Sequence, residues 1–262
     1  MKITIVGAGA IGGYLGTKLA LAGEDVTFIA RRRNLEAINA EGFRLVLEDG
    51  TQEHAKTVRA VQHFHALGGP HEGRAVTRVD PDGAIARAIP AERVIGSVVY
   101  PAAELVAPGL VKLVEGNRFT VGEPSNERTP RVEALSQALM KAGFKAPVSR
   151  DIRSELWIKL WGNLSFNPIS ALTHATLEGI CRFAPTRELA RRMMAEGQAV
   201  AEALGVRFKI TLEQRLAGAE AVGAHKTSML QDVEHGRAPE LAALVGAVVE
   251  LGAVAGVPVP TI

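Results

Sequence analysis

Apolar and polar positions change rhythm about halfway along the chain. In the first half, apolar residues come in short runs at 2–6, 25–30, 43–47, 94–100, 110–114 and 118–122, which predicts β-strands. Helical spacing is confined there to 12–22 and 33–40, and Pro81-Asp82-Gly83 and Pro108-Gly109 mark turns. From about residue 130 the strand signal stops. Segments 131–142, 152–166, 186–204, 212–223 and 238–255 then place apolar residues at helical spacing. A shift from mixed α/β to all-α marks a domain boundary, placed near Arg150, with residues 1–150 as an α/β domain and 151–262 as a helical one.

The first strand runs straight into Gly7-Ala8-Gly9-Ala10-Ile11-Gly12 and then into a helix. This strand, Gly-x-Gly-x-x-Gly and helix order is that of a dinucleotide-binding first turn. Gly7 allows the tight turn, Gly9 lets the backbone approach a pyrophosphate, and Gly12 lets the helix lie close on the strand. The helix N-terminus offers unpaired N–H groups to the phosphates. A site for NAD usually carries an acidic residue about 20 residues beyond the glycines, to bind the ribose 2′-hydroxyl. Here the second strand ends at Ala30 and is followed by Arg31-Arg32-Arg33, with no carboxylate. A guanidinium suits a 2′-phosphate, because it gives bidentate, charge-assisted hydrogen bonds. NADP(H) is therefore the expected cofactor, and the alternative is a solvated basic helix start.

Composition narrows the classes. The chain has 262 residues, 47% of them hydrophobic, which is enough for one large domain or two ordinary ones. A net charge of +2 gives no reason to expect a nucleic-acid partner. The single cysteine, Cys181, excludes an internal disulfide framework and fits a reducing cytoplasm. No apolar run reaches the length of a membrane span, and the N-terminus reads as a strand rather than a signal peptide. His63, His65 and His71 lack a neighbouring cysteine or carboxylate at ligand spacing, so no metal is expected.

The richest segment of the helical half is Glu155 to Leu172. Lys159, Asn163 and Asn167 recur every fourth residue and share one helix face among apolar neighbours. Buried amides need partners, and a buried lysine is easily shifted in pKa. The stripe suits a site that polarises a carbonyl and holds hydroxyls. A snorkelling lysine beside two capping asparagines explains the composition equally well. Further on come Ser228-Met229-Leu230-Gln231-Asp232 and Glu240, carboxylates that alone would sit at the surface.

Together, the Gly7-x-Gly9-x-x-Gly12 turn, the arginine after the second strand, Lys159-x3-Asn163-x3-Asn167-Pro168, and Ser228 to Asp232 with Glu240 resemble the ketopantoate reductase family over nearly the whole chain. The resemblance implies a Rossmann-type domain followed by a helical one, and NADPH-dependent reduction of 2-dehydropantoate to (R)-pantoate. It implies that Lys159 is the general acid, that Asn163 and Asn167 bind the substrate's hydroxyl and carbonyl, that Ser228 binds its carboxylate end, and that Glu240 orients Lys159 or the substrate hydroxyl. Cofactor contacts would come from Gly7, Ala8, Gly9, Ala10, Ile11, Gly12 and Arg31. The expected partner is a small 2-oxo acid, without nucleic acid or membrane, and a homodimer is left open.

The chain departs from the family in three places. Relatives carry two further strands, one ending in a lysine-containing turn and the other in Asn-Gly. Here Glu53 to Val61 passes directly to Gln62 to Pro70, so a strand–helix–strand unit of about 30 residues or more is expected to be absent and the sheet abridged. Relatives run on into one more helix beyond Ile262, and Ala242 stands where an acidic residue is common. Two other readings stay open: a family descendant that binds nucleotide or a protein partner without catalysis, and a reductase of another 2-oxo acid.

Overall fold

The structure is a computed structural model that describes residues 2–6, 9–29, 37–38, 40–55, 76–80, 83 and 91–262. The chain divides into two compact units, Met1–His63 with Arg93–Ile152, and Phe64–Glu92 with Arg153–Ile262.

In the first unit, β1 (Lys2–Val6) leads through α1 (Ala10–Leu21) to β2 (Asp25–Ile29). The two strands pair in parallel with Lys2 opposite Asp25, as a crossover helix requires. Among the described residues, β1 pairs with β2 alone. Strands β3 (Phe43–Val46), β4 (Gln52–Ala55), β6 (Ala102–Ala107) and β7 (Leu110–Glu115) form a second sheet in the order β4-β3-β7-β6. β5 (Gly96–Val99) pairs with β8 (Phe119–Gly122), and α2 (Pro130–Lys141) follows.

All six apolar runs contain strands, whereas polar β4 and alanine-rich β6 lie outside them. They form as antiparallel partners of β3 and β7 across turns in which Gly50 (φ +83°) and Gly109 (φ +70°) take the left-handed conformation that glycine tolerates. Most of the expected helix at 33–40, most of Thr57 to Ala88, and the turn residues Pro81 and Asp82 lie outside the described residues. The core gathers Tyr14, Phe28, Phe43, Phe119 and Phe144 with aliphatic residues of the strands and of α2.

The second unit is helical. It holds α3 (Ile152–Thr173, from Arg153 onward), α4 (Leu177–Arg182), α5 (Ala184–Ala203), α6 (Leu212–Ala221), α7 (Ser228–Glu234) and a π-helical turn (Ala242–Gly246) continued by α8 (Ala247–Ala255). Two apolar clusters hold it, one around Trp161, Phe166 and Met194, the other around Leu164, Val200 and Val248.

The expected helix end at Phe166 is corrected. α3 runs through Pro168 to Thr173, because Ile169 joins the first cluster and Thr173 Oγ1 donates to the Ile169 carbonyl at 2.7 Å. Tertiary burial here outweighs the missing proline N–H. The periodicity missed α4 and α7, which are short and stopped at their N-termini by the side chains of Thr176 and Thr227. No helix among the described residues is long and apolar enough to cross a membrane.

Candidate active site

The first candidate element is the N-terminus of α1. Gly9 is its N-cap in extended backbone, with no side-chain cap and no acidic residue in the first turn. The first internal bond runs from Gly13 N–H to Gly9 C=O at 2.8 Å, so the N–H groups of Ala10, Ile11 and Gly12 have no partner within the helix. A Cβ built on Gly9 would meet nothing within 4 Å, which leaves open room beside those donors. This arrangement fits an anion such as a pyrophosphate. Gly7, Ala8 and Arg31 lie outside the described residues.

Close packing of the helix is seen at Gly13 and Gly16, beyond the three motif glycines. A Cβ on Gly13 would fall 2.4 Å from the Phe43 ring, and one on Gly16 would fall 2.0 Å from Phe28.

The second element is α3. Its polar side chains divide into two sets. Ser165 Oγ donates to Trp161 C=O at 2.9 Å, Ser170 Oγ to Ala175 C=O at 2.6 Å, and Trp161 Nε1 to Met194 C=O at 2.5 Å. Ser154 Oγ donates to the Arg207 carbonyl. By contrast Asn167, only 4% exposed, has an amide nitrogen with no hydrogen-bond partner, and half-buried Asn163 is likewise unbonded among the described residues. Leaving a buried amide donor unmade costs about 1–3 kcal/mol. In native chains a water or a ligand completes such a group. Both amides stand on the face that begins at Lys159. The Lys159 side chain reaches solvent, yet the protein around it disfavours the charge and lowers its pKa below the ordinary 10.5.

The structure therefore places Lys159, Asn163 and Asn167 together on one helix. Ser228 opens α7 and Glu240 precedes the last helical segment, both exposed, and neither is hydrogen-bonded to Asn163 or Asn167. Asp232 is held by Arg237 Nε at 2.6 Å, a structural pairing. Sequence reasoning missed Arg215, whose guanidinium lies against α3 at Gly162. The available signal was a lone glycine inside a helical pattern, which marks a close approach.

Comparisons with known proteins give the family. The family model described as "Ketopantoate reductase PanE/ApbA" matches residues 3–73, and "Ketopantoate reductase PanE/ApbA C terminal" matches 151–262. A protein of Mesorhizobium japonicum named 2-dehydropantoate 2-reductase is 50% identical, over all of this chain and 94% of its own length. That alignment runs over 309 positions against 262 residues here, so the relative carries internal residues that this chain lacks. A 2-dehydropantoate 2-reductase of Archaeoglobus fulgidus is 28% identical, over 96% of this chain and 90% of its own. The crystal structure of 2-dehydropantoate 2-reductase from Geobacter metallireducens GS-15 superposes with a TM-score of 0.78 at 28% identity, over 100% of this chain and 96% of that one. The fold is accordingly α/β and Rossmann-like with a helical C-terminal part, and the chain belongs to the ketopantoate reductase family.

Proposed function

We propose that the chain reduces 2-dehydropantoate to (R)-pantoate with NADPH, a step towards pantothenate and coenzyme A. The observation that carries this reading is the alignment along one face of α3 of Lys159, whose pKa its surroundings lower, with Asn163 and Asn167, which are unbonded among the described residues. Such a face is complete only with a small polar molecule on it. Residues 1–150 would hold the dinucleotide and 151–262 the substrate. NADPH, when bound, supplies the hydride that adds to the ketone carbon.

Lys159 Nζ donates a proton to the ketone oxygen as it becomes an alkoxide. Its ammonium also stabilises a charge that is larger in the transition state than in the ground state. A lysine pKa lowered by desolvation brings the acid closer to working pH, where proton transfer is most effective. Asn163 and Asn167 hold the substrate's hydroxyl and carbonyl, and Ser228 binds its carboxylate end. Glu240 orients Lys159 or the substrate hydroxyl.

On the cofactor side, the open N-terminus of α1 supports a pyrophosphate at Gly9 to Gly12, and the motif extends this to Gly7 and Ala8. Arg31 supports NADPH over NADH by its charge. A single buried cysteine supports a cytoplasmic setting.

The test is thermal unfolding with NADPH and with NADH, followed by an assay of NADPH oxidation with 2-dehydropantoate. We expect a larger rise in midpoint with NADPH, since a ligand bound only to the native state stabilises it, and turnover that is lost in Lys159→Ala. Turnover that persists in Lys159→Ala overturns the proposed acid.

A further inference from the structure

Helix α3 carries a glycine at its centre, and an arginine from α6 occupies the space. A Cβ on Gly162 would lie 2.0 Å from Arg215 Nη2 and 2.9 Å from its Cζ. The same Cζ stands 5.8 Å from the centre of the Phe166 ring, a residue only 1% exposed. Gly162 and Phe166 are four apart and share a face. Gly162 is also flanked by Lys159 three residues before and Asn163 one after, so the guanidinium rests along the border of the Lys159 stripe.

Among the described residues, no carboxylate pairs with this arginine. The two carboxylates of its own helix are engaged elsewhere. Glu213 pairs with Arg187 at 3.4 Å, and Glu220 pairs with Arg187 at 3.3 Å and Arg182 at 3.5 Å. Among the described residues Arg215 has neither a carboxylate nor a hydrogen-bond acceptor. Burial lowers its pKa, and the nearby Cys181 opposes that shift. The guanidinium packs on the Phe166 ring and its nitrogens still reach solvent, so its N–H donors are open to an incoming anion. The proposed site also lacks a positive group for the substrate's carboxylate: Lys159 acts at the ketone, Ser228 and the two amides are neutral, and Glu240 is acidic.

We propose that Arg215 binds the carboxylate of the 2-oxo acid substrate and sets a preference for anionic over neutral substrates. The assignment rests on the reductase reading given above. A planar, bidentate pair would also fix the plane of the carboxylate, and with it the presentation of the adjoining ketone to Lys159.

The test compares 2-dehydropantoate with its neutral carboxamide in steady-state kinetics of wild type, Arg215→Met and Gly162→Ala. Methionine keeps much of the apolar stem without the charge. Alanine at 162 leaves Arg215 in the chain but pushes its flexible end off the helix, and it suits a helix interior better than glycine. Arg215→Met is expected to raise KM for the acid by about 10- to 100-fold with kcat nearly kept, and to leave KM for the carboxamide unchanged. Gly162→Ala is expected to shift KM the same way by less. A purely structural arginine would move acid and carboxamide together, or neither, and either result overturns the proposal. Should wild type turn over neither substrate, the reductase reading has failed instead. Calorimetric titration with pantoate then decides the anion site alone: weaker binding to Arg215→Met sustains it, and equal binding overturns it.

Discussion

Along α1, Gly13 and Gly16 press against aromatic rings, whereas along α3 Gly162 presses against a guanidinium. In the first unit the missing Cβ atoms admit Phe43 and Phe28, rings that are fully buried and stacked with centroids 5.3 Å apart. Every neighbour there is apolar, and the gain is dispersion and burial. In the second unit the missing Cβ admits the flexible end of one long side chain, whose guanidinium lies on α3 and against the Phe166 ring. The contrast separates glycines that close an apolar core from a glycine that admits a charged side chain. What distinguishes them is whether the intruding group could move away.

The comparison can be sharpened or broken by measurement, starting where the largest change is expected. Lys159→Ala should lower kcat by about 10²- to 10⁴-fold, the usual contribution of a positioned acid, and leave NADPH affinity unchanged. In wild type, kcat should fall as pH rises through a value below the ordinary lysine 10.5, because the proton donor is lost there. A profile flat up to that pH would speak against Lys159 as donor.

Next is Tyr14, 3% exposed in the α1 core. Burial first, then the charges of Glu48 and Glu53, push its phenol from 10.0 up to about 12. The folded state therefore keeps a proton that the unfolded chain loses. Its contribution is fully present below pH 10 and disappears as pH rises to about 12, a loss of up to about 3 kcal/mol by linkage. Denaturant unfolding across that window should show this loss in wild type and much less of it in Tyr14→Phe.

Gly16→Ala should then destabilise by about 1–3 kcal/mol, since Phe28 has no free space to swing into. Gly162→Ala should stay within about 1 kcal/mol of wild type, on the stabilising side. Equal losses in urea unfolding would erase the distinction between the two glycines. The smallest effect is expected from Asn167→Leu, which removes a buried unpartnered amide. A gain of about 1 kcal/mol in stability, accompanied by a higher KM for 2-dehydropantoate, would mark the amide as kept for the ligand. A loss of stability would instead mark it as part of the packing.

Much of this was legible beforehand, for identifiable reasons. The apolar runs located six strands because a buried strand needs a continuous or alternating apolar stretch. The four-residue recurrence of Lys159, Asn163 and Asn167 determined that the three share a face, since helical geometry alone guarantees it. The glycine motif determined where an anion would meet a helix start. β4 and β6 were not legible, because their formation depends on β3 and β7 lying alongside. Nor was the passage of α3 through Pro168, which local preference forbids and burial of Ile169 permits. Arg215 shows the same limit from the side of function. Its charge could be read in the chain. That it lies on Gly162, with the acids of α6 already engaged by other arginines, depended on which helices pack together, and only the tertiary structure decided it.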